Sequence, residues 1–174
     1  MKLRIVIMGV AGCGKSSVGE TLSRRLGIRY RDGDDLHPAA NVEKMRAGVA
    51  LDDDDRWPWL DRVAAELNQN ASLIIGCSAL KRAYRDRIRA GAGAPVQFVH
   101  LAGDHDLIAA RMAQRAGHYM PPSLLASQFA ALEPPGPDEA LRVQIDQPPD
   151  AIVAQIMDAL SRIARKKLSR GTMT

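Results

Sequence analysis

The chain has 174 residues, 46% of them hydrophobic and 25% charged, which excludes a disordered or disulfide-stapled chain and leaves length enough to bury a core. Its formal charge of +4 resides in a tail, because Arg162, Arg165, Lys166, Lys167 and Arg170 follow the last acid, Asp158, and taking away those five leaves 19 basic against 20 acidic residues; this reads as a solvated helix end with cations suited to the dipole, and a nucleic-acid face is not expected. Cys13 and Cys77 fit no metal or disulfide spacing, Met1 to Arg4 runs into an apolar strand without a signal-peptide pattern, and no apolar run nears the ~20 residues that span a bilayer, so a cytoplasmic protein without membrane contact is expected.

Leu3 to Met8 is a short β-branched run closed by Gly9 and reads as a buried strand. Val18, Leu22 and Leu26 then recur at helical spacing over Ser16 to Leu26, with Gly27 as the stop. A short element near Arg29 to Arg31 leads into Asp32-Gly33-Asp34. Helices are predicted over Pro38 to Arg46 and, after the acids Asp52 to Asp55, over Arg56 to Asn68 with Pro58 near the start. Leu73 to Cys77 is a second strand, Leu80 to Arg89 an arginine-rich helix, Val96 to Leu101 a third strand and Asp104 to Arg115 the helix after it. A break at Gly117 to Pro122 precedes a helix over Ser123 to Leu132, a turn at Pro134 to Pro137, a last strand over Leu141 to Ile145 and a final amphipathic helix over Asp150 to Lys167. Strands alternating with helices predict an α/β fold: a mostly parallel five-stranded sheet flanked by helices, in one domain spanning 1–174, with a mobile lid over about 111–135 and a basic tail over about 162–174.

Gly9-Val10-Ala11-Gly12-Cys13-Gly14-Lys15-Ser16 matches G-x-x-x-x-G-K-[ST] in full, between a strand and a helix. Glycines let several backbone N–H groups turn toward one anion, and the helix N-terminus, continuing through Ser17, adds its positive end. Lys15 can reach the β- and γ-phosphates of ATP, and the Ser16 hydroxyl can ligate Mg²⁺. The motifs of a GTPase switch are missing, which argues against that reading: Asn41, Asn68 and Asn70 lack N-K-x-D neighbours, and no Asp stands three before a Gly.

Asp32 and Asp34 follow the predicted second strand, at the ligand edge of a parallel sheet. On an extended segment, carboxylates at i and i+2 point the same way. One can hold Mg²⁺ through water and the other can take the proton of an acceptor hydroxyl; an acidic turn is the plainer alternative. His37, Arg56, Lys81 and Arg85 stand beside strand ends or acidic loops, and arginine's planar fork suits a carboxylate. Arg56 could instead pair with the acids before it, and Lys81 and Arg85, four apart, could form a solvated helix face. Trp57 and Trp59 could pack the helix or wall a sugar site.

Asp32-Gly33-Asp34-x-Leu36-His37-Pro38, Asn41-x-Glu43-Lys44-Met45-x-x-Gly48 and Leu51-x-Asp53-x-Asp55-Arg56-x-Pro58-Trp59-Leu60 resemble the signatures of the small, shikimate-kinase-like gluconokinases. Cys77-Ser78-Ala79-Leu80-Lys81-x-x-Tyr84-Arg85-Asp86, Gly117-His118-Tyr119-Met120, Ser127-Gln128-Phe129, Leu132-Glu133 and Asp146-Gln147-Pro148 continue the resemblance over about residues 4–165. Cys13 departs from the family's frequent serine, and the tail after Arg165 has no counterpart. The resemblance implies phosphorylation of D-gluconate by ATP to 6-phospho-D-gluconate, feeding the pentose phosphate or Entner-Doudoroff route, in a homodimer. By the same likeness Asp32 takes metal duty beside Ser16, and it implies an arginine-bearing lid carrying Arg111 and Arg115, with Gln147 and Pro148 bordering adenine; the mechanism expected on that basis has Asp34 orient the 6-hydroxyl and take its proton. Arg111 and Arg115 share a helix face at i, i+4, and a solvent-facing pair is the alternative. Another small hydroxy acid such as shikimate, or a nucleotide-dependent binding module, are the competing readings.

Overall fold

The apolar run at the N-terminus becomes the middle strand of the fold. A computed structural model describes residues 2–114 and 122–171. In it β1 (Arg4–Met8) lies between β3 (Leu73–Gly76) and β4 (Val96–Ala102). β2 (Tyr30–Asp32) adds beyond β3 and β5 (Ala140–Gln144) beyond β4, giving the order β2-β3-β1-β4-β5. All four pairings are parallel, with Ile5 opposite both Ile74 and Gln97, and Asp32 opposite Gly76. Parallel neighbours require crossovers, and helices supply them.

β1 shows why both sheet faces are covered. Ile5 and Ile7 point into one cluster with Val18 and Leu22 of α1 (Lys15–Leu26) and Ile152 and Ile156 of α7 (Pro149–Gly171). Val6 and Met8 point into the other, with Leu60, Val63 and Leu67 of α3 (Asp53–Gln69) and Ile88 of α4 (Arg82–Gly91). The period of two therefore sends alternate apolar residues to opposite cores. The remaining helices are α2 (Ala39–Arg46), α5 (His105–Ala113) and α6 (Pro122–Ala131). No helix among the described residues is long and apolar enough to cross a membrane.

Three local departures from expectation have physical causes. The segment after β2 is not extended: Gly33–Leu36 is a 3-10 turn, with the Asp32 carboxylate accepting from the Asp34 N–H at 3.0 Å. Gly33 packs so tightly that a Cβ there would come within 2.3 Å of the Gly76 carbonyl oxygen. α3 starts at Asp53 and not at Arg56, because Asp52 and Asp55 form a reciprocal capping box that satisfies the first turn. α4 starts at Arg82, after Ala79 takes a left-handed φ of 43°. Of the predicted break over Gly117 to Pro122, only Pro122 is described, and it opens α6; the rest of it, with His118, and the expected lid residue Arg115 lie outside the described residues.

Candidate active site

The carboxyl ends of β1, β2 and β3 open into one cavity of about 400 Å³, within the ordinary size of a small-molecule site. Ala11, Gly12, Gly14, Lys15 and Ser16 form its floor. Gly14, at φ 99°, caps α1 without a side-chain hydrogen bond, and the first turn of α1 holds no acid. α3 and α5 are capped by Asp52 and Asp104; the α1 terminus instead leaves its N–H groups and dipole to an anion. Lys15 Nζ folds back to the carbonyls of Gly9 and Val10 at 3.1 and 3.0 Å. Not every loop residue is aimed at the cavity. The N–H of Gly9 donates to Ser78 O and that of Cys13 to Val10 O, the side chains of Val10 and Cys13 are core, and Ser17 is exposed.

Ser16 Oγ donates to Asp32 Oδ2 at 3.2 Å. A hydroxyl and a carboxylate side by side at a phosphate loop are the hard oxygen donors that Mg²⁺ takes, so the residues fit the ion. Asp34 faces the same cavity. Its side chain is 72% exposed, so the carboxyl is open to the cavity and to solvent. Desolvation raises its pKa, Lys15 opposes the rise, and Asp32 and Asp35 add to it.

His37 also lines the cavity, its ring stacked on Trp59 at 4.1 Å between centroids. Trp59 Nε1 donates to Gly33 O at 2.7 Å. Trp59 thus belongs to both readings, packed in the core at 1% exposure and walling the cavity. Trp57 packs edge-on against Tyr84. Burial lowers the His37 pKa to about 4, aided by Arg56 and opposed by Asp32.

The three cations expected at the substrate separate. Arg56 lines the cavity, makes no ion pair with the acids before it among the described residues, and donates from Nη1 to Tyr84 Oη at 3.2 Å. Lys81 lies in an adjoining hollow of about 530 Å³ that shares Arg56 and Ser127 with the first, but Asp53 neutralises it at 2.9 Å. Arg85 is not brought to the site. It is 1% exposed, bidentate to Glu139, with Nη1 spent on the carbonyls of Ala79 and Leu80.

Of the residues expected at the nucleotide, Arg111 donates from Nη2 to Ile145 O at 2.6 Å, which places it against the loop carrying Gln147 and the exposed Pro148. Gln147 is turned to its own surroundings, donating to Gln144 O and accepting from Gln155. α6 reaches the phosphate loop: Gln128 Oε1 accepts from the Ala11 N–H at 2.7 Å. Gln128 and Asn41, which contacts His37, carry no role in a reading by residue type, because an isolated amide in a helix has no pattern.

A family model described as an AAA domain matches residues 5–121. Gluconokinase of Gluconobacter oxydans is 44% identical over 158 residues, covering 88% of each chain. Thermosensitive gluconokinase of Escherichia coli is 47% identical over 145 residues, 81% of this chain and 77% of its own. The chain belongs to the gluconokinase family. A gluconokinase crystal structure from Sinorhizobium meliloti superposes with a TM-score of 0.91 at 42% identity, covering 97% of both chains. Shikimate kinase from Aquifex aeolicus, at 18% identity and TM-score 0.61, shares the fold alone. As a gluconokinase-family member the chain is a kinase with a P-loop nucleotide site, and the expected parallel five-stranded P-loop kinase fold is the one observed.

Proposed function

We propose that this kinase transfers the γ-phosphoryl group of ATP to the 6-hydroxyl of D-gluconate, giving ADP and 6-phospho-D-gluconate. The observation that carries the reading is the shared cavity: Lys15 and Ser16 of the phosphate loop face Asp34 and an arginine, Arg56, that has no carboxylate partner among the described residues. An acceptor that is both a hydroxyl and a carboxylate answers that pair. Arg56 grips the carboxylate as a planar fork. Asp34, whose raised pKa makes it a better base, takes the hydroxyl proton. Lys15 exchanges its two loop carbonyls for the phosphates, and Ser16 and Asp32 hold Mg²⁺, which when bound neutralises charge on the phosphates. Arg111, with Arg115 on the lid, balances charge on the transferring group and excludes water. Lys81, through Asp53, lines the outer substrate side. The reading includes one domain and a homodimer in the cytoplasm, on the family resemblance.

The test is an ADP-release assay across D-gluconate, shikimate and nucleoside monophosphates. ADP is expected with D-gluconate. Turnover of Asp34→Asn is expected to fall by about 10²- to 10⁴-fold while ATP binding survives. Release with shikimate alone, or with no acceptor in the panel, overturns the reading.

A further inference from the structure

α2 buries one residue, and it is polar: Asn41, 3% exposed. Its Nδ2 stands 2.7 Å from the carbonyl oxygen of Asp55 and 3.2 Å from Nδ1 of His37. A peptide carbonyl only accepts, so the amide atom facing Asp55 is the NH₂ group, and the orientation of the side chain is settled by chemistry. The second hydrogen of that NH₂ faces His37. Two donors cannot meet, so His37 Nδ1 carries a lone pair, and the neutral ring carries its hydrogen on Nε2. Nε2 is the nitrogen on the Asp34 side, 3.9 Å from Asp34 Oδ1. That gap is too long for a direct hydrogen bond. The ring cannot swing to another partner, being stacked on Trp59 with its side chain 4% exposed.

We propose that Asn41 fixes His37 as its Nε2–H tautomer, so that His37 is a hydrogen-bond donor to the acceptor hydroxyl oxygen beside Asp34, and Asn41 is a positioning residue acting through it. The kinetic half rests on the reaction proposed above; the tautomer does not. The consequence for the chemistry is a division of roles. The hydroxyl oxygen accepts from Nε2–H on one lone pair and gives its proton to Asp34, while its other lone pair forms the bond to phosphorus and the phosphorus–oxygen bond to ADP breaks. The opposite tautomer would set the Nε2 lone pair against the Asp34 carboxylate, two acceptors competing for one proton. Protonating the ring would put an N–H on Nδ1 against the Asn41 N–H, with Arg56 as a further repulsion. His37 is thereby removed as a rival base.

Long-range ¹H–¹⁵N correlation of the imidazole nitrogens in the full chain, without substrate, tests the tautomer, the His37 signals being identified by their loss in His37→Gln. Wild type is expected to show a protonated Nε2 and an unprotonated Nδ1. Asn41→Asp, which places an acceptor at Nδ1, is expected to move the proton there and lower kcat with D-gluconate at least tenfold, with the ATP KM unchanged. His37→Gln, whose amide N–H overlays Nε2–H, is expected to keep at least tenfold more activity than His37→Glu, which has the same shape and no donor. A hydrogen on Nδ1 of the wild type overturns the proposal, and so does equal activity of the Gln and Glu variants. Asn41→Asp also sets a carboxylate beside the Asp55 carbonyl, so its thermal unfolding is measured alongside; the wild-type spectrum decides the tautomer even where that variant does not fold. Absence of gluconate turnover with the expected spectrum counts against the reaction and leaves the tautomer standing.

Discussion

Arg85 and Glu139 form a bidentate pair, Nε to Oε1 at 2.6 Å and Nη2 to Oε2 at 3.2 Å, which ties α4 to the start of β5. The guanidinium is 1% exposed and its Nη1 holds the carbonyls of Ala79 and Leu80, just before Lys81. Removing one partner of a buried pair strands the other charge. Glu139→Ala is therefore expected to lower unfolding free energy by about 3 kcal/mol in urea titration, with the gluconate KM little changed. A loss well below about 1 kcal/mol, or a rise in KM without a loss of stability, would return Arg85 to the substrate.

Arg56 should behave in the opposite way. A hydrogen-bonded charge contact contributes roughly 1.5–3 kcal/mol, so Arg56→Ala is expected to raise the D-gluconate KM by about 10- to 100-fold and leave the ATP KM in place. Discrimination between D-gluconate and an uncharged polyol of equal length should narrow in parallel. Steady-state kinetics on both acceptors reads this; unchanged discrimination would show that the carboxylate is gripped elsewhere.

Acid should destabilise the fold through two histidines. Burial lowers His37 and His100 to about 4, with Arg56 adding to the first and Arg142 and Arg85 to the second. The unfolded chain titrates near 6.5. Between those values it binds protons that the folded state refuses, so the stability is complete above about pH 6.5 and is lost as pH falls toward 4. Each group contributes up to roughly 3 kcal/mol across that window. Asp34, raised, works the other way. The lowered carboxylates Asp53, Asp55, Asp61 and Glu139 lose their contribution only below the ordinary carboxylate range. Denaturant titrations from about pH 7 to about pH 5 are expected to show an uptake on unfolding that is small near pH 7 and rises to nearly two protons near pH 5, and to nearly one in His37→Gln. A flat profile would contradict the burial of both rings.

The thiols should be slow. Cys13 is 1% exposed beneath Gly9 and Cys77 is fully buried, its pKa pushed up to about 12 by desolvation. A colorimetric thiol titration is expected to give no fast phase in the native protein and two thiols after unfolding. A fast phase protected by ATP would make Cys13 a reactive residue of the loop.

The phosphate loop was legible because its chemistry lies in consecutive backbone groups: Gly9 to Ser16, a strand before them and a helix after them, are all local sequence. The alternating strands and helices declared the parallel sheet for the same reason, since period and chain order are properties of the sequence itself. Asp32 and Asp34 were legible as a pair, but not their geometry, because a 3-10 turn held by the Asp32 side chain replaced the extended segment.

Sequence could not sort Arg56 from Arg85. The two are alike in charge and in nearness to acids, and what separates them is whether a carboxylate from a distant element reaches them: Glu139 reaches Arg85 across 54 positions, and no such partner meets Arg56 among the described residues. The same holds for Gln128 on the Ala11 amide, 117 positions apart. The sequence by itself determined the anion site and the sheet, both carried by neighbouring residues, and the resemblance of its motifs implied the class of reaction. The tertiary structure alone decided which arginine meets no carboxylate among the described residues and which nitrogen of His37 faces the Asn41 amide. Both depend on donors and acceptors that meet only when the strand order brings their helices together.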